Sequence, residues 1–187
     1  LFLVVPLVFV LVQAFSAGLG VYLESITDTY ALQALVLTMI TVLVAVAVNT
    51  IFGLFAAWRL TRYRFFGRRI LNTFIDLPLS VSPVIAGLIF ILTFGRSSPI
   101  YPLLTEAGIR VVYAIPGILL ATIFVTFPYI SREIIPILEA RGTDEEEAAA
   151  LMGAGGRTIF RRITFPHIKW ALLYGVVLCA ARALGEF

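Results

Sequence analysis

TDEEEAAALMGAGGRTIFRRITFPHIK, residues 143–169, is the stretch on which the reading of the whole chain turns. It is dense with charge, while the sequence on either side of it is apolar. Carboxylates at 144–147 lead into Ala148, Ala149, Ala150, Leu151 and Met152, strong helix formers with acid in the first turn. Thr143 is the expected N-cap, with Glu146 three residues on to complete a capping box. Gly153-Ala154-Gly155-Gly156 ends that helix, because glycine tolerates the left-handed conformation that closes a helix. Residues 157–164 read as a second short helix, apolar at Ile159, Phe160 and Ile163 and basic at Arg161 and Arg162. Phe165-Pro166 is expected to stop it. The product is a helix–turn–helix elbow with an acidic first arm and a basic, partly apolar second arm.

The flanks decide the class. Of the 187 residues, 60% are hydrophobic, and the mean hydropathy is +1.02. A soluble domain is about 45–50% apolar, so the excess points to an all-α polytopic membrane protein. Charged residues are 13% of the chain and bunched, so the net charge of +3 is no argument for nucleic acid. Apolar runs at 1–15, 31–58, 70–94, 114–130 and 170–187 read as five transmembrane helices. The loop at 16–30 holds no Lys or Arg and the loop at 95–113 holds two, against five at 59–69 and six at 131–169. The basic loops therefore face the cytoplasm, and the elbow lies inside with them. The chain opens at Leu1 within an apolar run and stops at Phe187 within another, so it is expected to be a fragment cut at both ends.

The third run is interrupted by Asp76-Leu-Pro-Leu-Ser-Val-Ser-Pro83. One reading is a loop-to-helix approach, with Asp76 and Pro78 capping and Pro83 a mild kink. The other is a helix broken at membrane depth, as lines many substrate routes. Asp76, Arg182 and Glu186 are ionisable residues in apolar surroundings and so candidates for function. Arg182 and Glu186 share a helix face. Arg182 can attract an oxyanion, or be neutralised by Glu186, Asp76 or a partner subunit. Ser80, Ser82 and the nearby backbone are candidate path-lining donors.

On those residues the chain resembles the permease subunits of ATP-binding-cassette importers. Their signature, EAA-x3-G-x9-I-x-L-P, is matched by Glu147, Ala148, Ala149, Gly153, Ile163 and Pro166, with Phe165 where leucine is usual. DLPLSVSPVIAGL at 76–88, TFPYISREIIPILEARG at 126–142 and HIKWALLYGVVLCAARALGEF at 167–187 are similar to the sulfate/thiosulfate permeases, the CysW-type subunits in particular. The ending ARALGEF is shared with molybdate permeases. The resemblance implies a MetI-like type I importer fold of six helices, the sixth lying beyond Phe187. It implies one permease domain, 1–187, with the coupling loop 143–169 inside it. It also implies that Glu147, Ala148, Ala149, Met152, Gly153, Ile163 and Pro166 form the elbow that docks on an ATPase subunit, with small and apolar residues as anchors. The implied partners are a homologous permease in a heterodimer, two ATPase subunits, an extracytoplasmic sulfate-binding protein and membrane lipid. The implied location is the bacterial cytoplasmic (inner) membrane. Molybdate or tungstate transport is the alternative, and an ion-coupled secondary carrier using Asp76 and Glu186 the more distant one.

No catalytic, cofactor or metal site is expected in this chain. Its glycine-rich 153–156 lacks the Lys-Ser/Thr of a phosphate loop, so ATP and its Mg are expected on a separate subunit. One histidine, His167, and one cysteine, Cys179, far apart in sequence, do not supply the ligands of a metal centre or the pattern of an activated serine. His167 reads as an interfacial polar residue.

Overall fold

The computed structural model describes residues 4–16 and 18–185, most of them helical. Two compact units divide it, Leu1–Ile40 and Thr41–Phe187. The first holds α1 (Val4–Ser16), α2 (Leu19–Thr27) and the start of α3 (Thr29–Arg62). The stretch read as a loop at 16–30 is thus largely helix. Gly18, at φ 93°, marks the break, and the apolar residues after it sustain a new helix. Neither α1 nor α2 buries a side chain, as suits helices whose apolar surface is turned to lipid.

The second unit is built around α7 (Ile115–Arg141). This helix runs 27 residues, through Pro128 and Pro136, and overturns the expectation that a loop begins at residue 131. The charged Arg132, Glu133 and Glu139 had suggested a loop. However, Ile130, Ile134, Ile135 and Leu138 recur at helical spacing and are all buried, so the helix continues on that stripe. Against α7 pack α10 (Phe165–Leu184), α4 (Arg68–Ser80) and α5 (Pro83–Phe94). A short α6 (Tyr101–Glu106) lies in the loop before α7.

Small residues let these helices close up. A Cβ built on Gly53 of α3 would lie 3.0 Å from Ile130 Cβ, and one on Gly175 of α10 would lie 3.0 Å from Ile130 Cα. Ala45, Asn49, Gly53 and Ala57 make a buried small-residue stripe every fourth position on α3, and Gly175, Cys179 and Ala183 do so on α10. Without a hydrophobic drive between helices in lipid, close backbone approach of this kind and interhelical hydrogen bonds supply the association. One such bond crosses the bundle: Asn49 Nδ2 donates to Thr126 Oγ1 at 2.8 Å and to the Ile123 carbonyl at 3.2 Å.

Among the described residues, three helical segments are long and apolar enough to cross a membrane: Thr29–Arg62, Ile115–Arg141 and Gly156–Leu184. The bent pairs α1/α2 and α4/α5 bring the number to five if each counts as one span. The bend in the second pair is 111°. That overturns the reading of Asp76 and Pro78 as caps with a mild kink at Pro83. Pro78 sits inside α4, the helix stops at Ser80, Val81 is extended, and a new helix starts with Pro83 in its first turn.

Candidate functional site

The elbow forms, with two differences from its expected anatomy. Its first arm is α8 (Asp144–Leu151). Thr143 makes no side-chain cap bond, so the capping box is absent. Glu146 is drawn away by stronger partners. Its Oε1 accepts from Arg62 Nη2 at 2.8 Å and from Thr164 Oγ1 at 2.8 Å. Arg62 also donates to the Leu138 carbonyl at 3.2 Å. A charge-assisted bond to a nearly buried guanidinium outweighs a neutral bond to a backbone N–H. The Glu146–Arg62 pair thereby ties the elbow to three membrane helices: Glu146 to α3 through Arg62 and to α10 through the turn at Thr164, and Arg62 to α7 through the Leu138 carbonyl. Glu145 adds a contact of 2.8 Å to His167 Nε2.

The turn after α8 is set by Gly153 at φ +87°. The Ala154 N–H bonds the Ala149 carbonyl at 3.0 Å and the Gly153 N–H bonds the Ala150 carbonyl at 2.9 Å, the paired bonds of a Schellman closure. The second arm is α9 (Gly156–Ile159), then a π turn (Phe160–Thr164) that runs directly into α10. The stop expected at Phe165-Pro166 does not occur. Pro166 falls in the first turn of α10, where a missing N–H is tolerated, and the wider π turn before it absorbs the ring. The second arm is therefore continuous with α10.

The outward surface of the elbow is apolar at its tip. Leu151 is 90% exposed and Met152 83%. Glu147 and Ala148 are also exposed, whereas Ala149 is buried within the chain and cannot serve as an anchor for a partner. Ile163 is half-buried and lines a small crevice with Arg62, Glu146 and Thr164.

The second region of interest is the break between α4 and α5. Ser80, Ser82 and Arg182, which the sequence offered together as a possible substrate path, line one cavity of about 390 Å³ with Pro83, Val125 and Tyr129. Tyr129 had no signal of its own in the sequence. Asp76, one turn earlier on α4, forms an ion pair with Arg132 of α7. Glu186 lies outside the described residues. A further cavity of about 540 Å³ follows on the same side of α4, lined by Arg68, Arg69, Asn72, Thr73, Arg132 and Glu139.

Comparison with known proteins adds the family. Residues 49–187 match the model described as "Binding-protein-dependent transport system inner membrane component". The chain is 48% identical over 185 residues to the "Sulfate transport system permease protein CysW" of Escherichia coli (strain K12), covering 99% of this chain and 64% of that protein. It is 44% identical over 187 residues to the protein of the same description from Synechocystis sp., covering 100% of this chain and 68% of the relative. It is 48% identical to "Sulfate permease 2, chloroplastic" of Chlamydomonas reinhardtii, of which it covers 51%. The chain thus spans just under two thirds of the length of the Escherichia coli relative. The chain belongs to the family of binding-protein-dependent transport system inner membrane components.

Proposed function

We propose that this family member is a membrane-spanning permease subunit of an ATP-driven importer for sulfate or thiosulfate, acting in the bacterial cytoplasmic membrane. The observation that carries the mechanical part is the elbow. Its tip is exposed and apolar, and its root is tied by the Glu146–Arg62 pair to α3, α7 and α10. Such a joint converts movement of a docked partner into tilt of the helices. The identity of the cargo rests on relatives described as sulfate permeases that match this chain along its whole length.

In this reading the chain pairs with a homologous permease, and two ATPase subunits hold ATP and its Mg. Glu147, Ala148, Leu151 and Met152 present the docking surface, and Gly153 sets its angle. An extracytoplasmic binding protein delivers the oxyanion. ATP binding closes the ATPases and moves the elbow, so that access switches from inside to outside, and hydrolysis resets it. The ligands act by binding one of two states better than the other. No covalent chemistry takes place in this chain, which serves as one permease domain.

The test uses the full-length protein isolated from its native membranes. The permease is expected to copurify with an ATPase, and uptake of radiolabelled sulfate into proteoliposomes is expected to stop with vanadate. Gly153→Pro removes a turn bond and the φ +87° geometry, and is expected to abolish ATPase retention while membrane insertion persists. Vanadate-resistant uptake, or full uptake by Gly153→Pro, would sink the reading. Competition by unlabelled sulfate, thiosulfate and molybdate at the binding protein identifies the cargo.

A further inference from the structure

Of the five arginines between 59 and 69, two are neutralised within the chain. Arg62 is held by Glu146 and Arg68 by Glu139. Asp76 and Glu145, the other paired carboxylates of this region, are taken up by Arg132 and His167. Among the described residues no carboxylate forms an ion pair with Arg59, Arg64 or Arg69, and all three are exposed. Arg59 lies over the Tyr63 ring at 4.3 Å, which steadies its guanidinium without cancelling the charge. The chain turns between the other two. The Arg68 N–H bonds the Phe65 carbonyl at 3.3 Å, and Gly67 takes φ 95°. Arg64 and Arg69 thus flank one tight turn, and Phe66 within it is fully exposed.

The helix that leaves this turn continues the pattern. The Arg68–Glu139 and Asp76–Arg132 pairs set α4 antiparallel to α7, so α4 enters the bundle from the elbow end. Ile75 and Pro78 are buried. The exposed side carries Arg69, then Ile70, Thr73, Phe74 and Leu77 in order of depth. Along about 10 Å of helix the surface passes from a guanidinium, past one hydroxyl, to apolar side chains alone. A phospholipid has that order, with phosphate first and acyl chain beneath it. A soluble anion would use the arginines and leave the apolar side chains without a partner.

We propose that Arg64, Phe66 and Arg69 form a headgroup site for an anionic phospholipid of the leaflet on the elbow side, with its acyl chain along Ile70, Phe74 and Leu77. The arginine forks suit a phosphate, which accepts two parallel N–H bonds from each. Phe66 enters the boundary between headgroups and acyl chains. The lipid must carry net negative charge, because the ammonium of a choline headgroup would stand against the same arginines. Held there, it braces the outer side of α4, as Glu139 and Arg132 brace the inner side. The site depends neither on the cargo nor on the importer reading.

The experiment places the full-length protein, with the subunits that copurify, in phosphatidylcholine nanodiscs. These contain a trace of phosphatidylglycerol or phosphatidylcholine bearing a diazirine on the acyl chain. After irradiation the crosslinked peptides are mapped by mass spectrometry. The phosphatidylglycerol probe is expected to mark residues 66–77 several-fold more than the phosphatidylcholine probe. Arg64→Gln and Arg69→Gln are each expected to lower that mark about fivefold, the effect of one basic residue at a lipid surface. Arg64→Lys and Arg69→Lys are expected to keep most of it, and Phe66→Ser to lower it with the charge unchanged. The comparison of probes on the unaltered protein needs no variant to fold. Equal marking by the two probes overturns the proposal, as does a preference that survives in both Gln variants. Loss of the mark with inorganic phosphate or sulfate, but not with chloride at equal ionic strength, would make this a soluble anion's site and overturns it too. A mark that appears only after copurifying subunits are stripped away would assign the surface to a protein partner, with the same consequence.

Discussion

Four carboxylates stand in a row at 144–147, and the structure gives them different work. Glu146 turns inward to Arg62 and Thr164, Glu145 reaches His167, and Glu147 faces out. The side chains of Arg62 and Glu146 are only 9% and 17% exposed, so removing one strands the other. Glu146→Ala is expected to destabilise the protein by about 3 kcal/mol, the low end for breaking a buried pair, because Glu146 keeps some solvent. Glu147→Ala, fully on the outside, is expected to stay within about 0.5 kcal/mol. Thermal denaturation of the two variants in the same detergent measures the difference. Equal losses, or none, would remove Glu146 from the root of the elbow. The sequence motif drew attention to Glu147, which the proposed function places on the docking surface. It carried no mark for Glu146, since which of five arginines between 59 and 69 comes to rest beneath the elbow depends on how α3 ends.

At the scale of elements, the small-residue stripes set how closely α3 and α10 approach α7. Gly53 and Gly175 both face Ile130, from opposite neighbours. A methyl group on either falls within about 3.0 Å of Ile130 atoms, and for Gly175 the nearest is backbone. Gly175→Ala is therefore expected to cost more than Gly53→Ala, within the roughly 1–3 kcal/mol range for overpacking. Ile130→Val shortens the side chain but keeps the Cγ2 methyl and the backbone that the new groups would meet, so it is expected to relieve neither fully. Ile130→Ala removes the Cγ2 contact but keeps the Cβ, 3.0 Å from a methyl on Gly53, so it is expected to relieve Gly53→Ala only in part and to leave Gly175→Ala impaired. A double-mutant cycle on thermal stability reads both couplings. Most spans were legible from apolar runs alone. Their ends were not. The charges of Arg132, Glu133 and Glu139 concealed the continuation of α7, and Pro166 suggested a stop where a π turn carries the helix through. Both errors arise from local composition overruled by packing: a buried stripe of Ile and Leu holds the helix together where charge and proline argue against it. The break at 81–82 was visible in two prolines. Arg182 was grouped with Ser80 and Ser82 from the sequence, but that Tyr129 joins them was not visible, because it lies 47 positions from Ser82, the nearest of them.

For the whole molecule, the orientation inferred from arginine counts gains independent support from one contact. Arg62, at the end of α3, holds Glu146 of the elbow at 2.8 Å, so the basic segment 59–69 and the elbow share one side. The long α7 starts next to the loop at 95–113 and ends at the elbow, so that loop belongs to the other side. Cys179 is buried in α10 and is the chain's one cysteine, so its replacement by alanine leaves a background for single-cysteine probes. Arg64, Arg110 and Leu151 are exposed positions suited to them. In intact cells whose outer barrier is permeabilised, a membrane-impermeant maleimide is expected to label Arg110→Cys and to leave Arg64→Cys and Leu151→Cys unmodified until the inner membrane is opened. Adding purified ATPase subunits to opened membranes is then expected to protect Leu151→Cys and to leave Arg64→Cys labelled, because the proposed docking surface is the exposed tip of the elbow. Labelling of Arg64→Cys from outside would reverse the topology. Unprotected Leu151→Cys in an assembled complex would place the docking surface elsewhere on the cytoplasmic face.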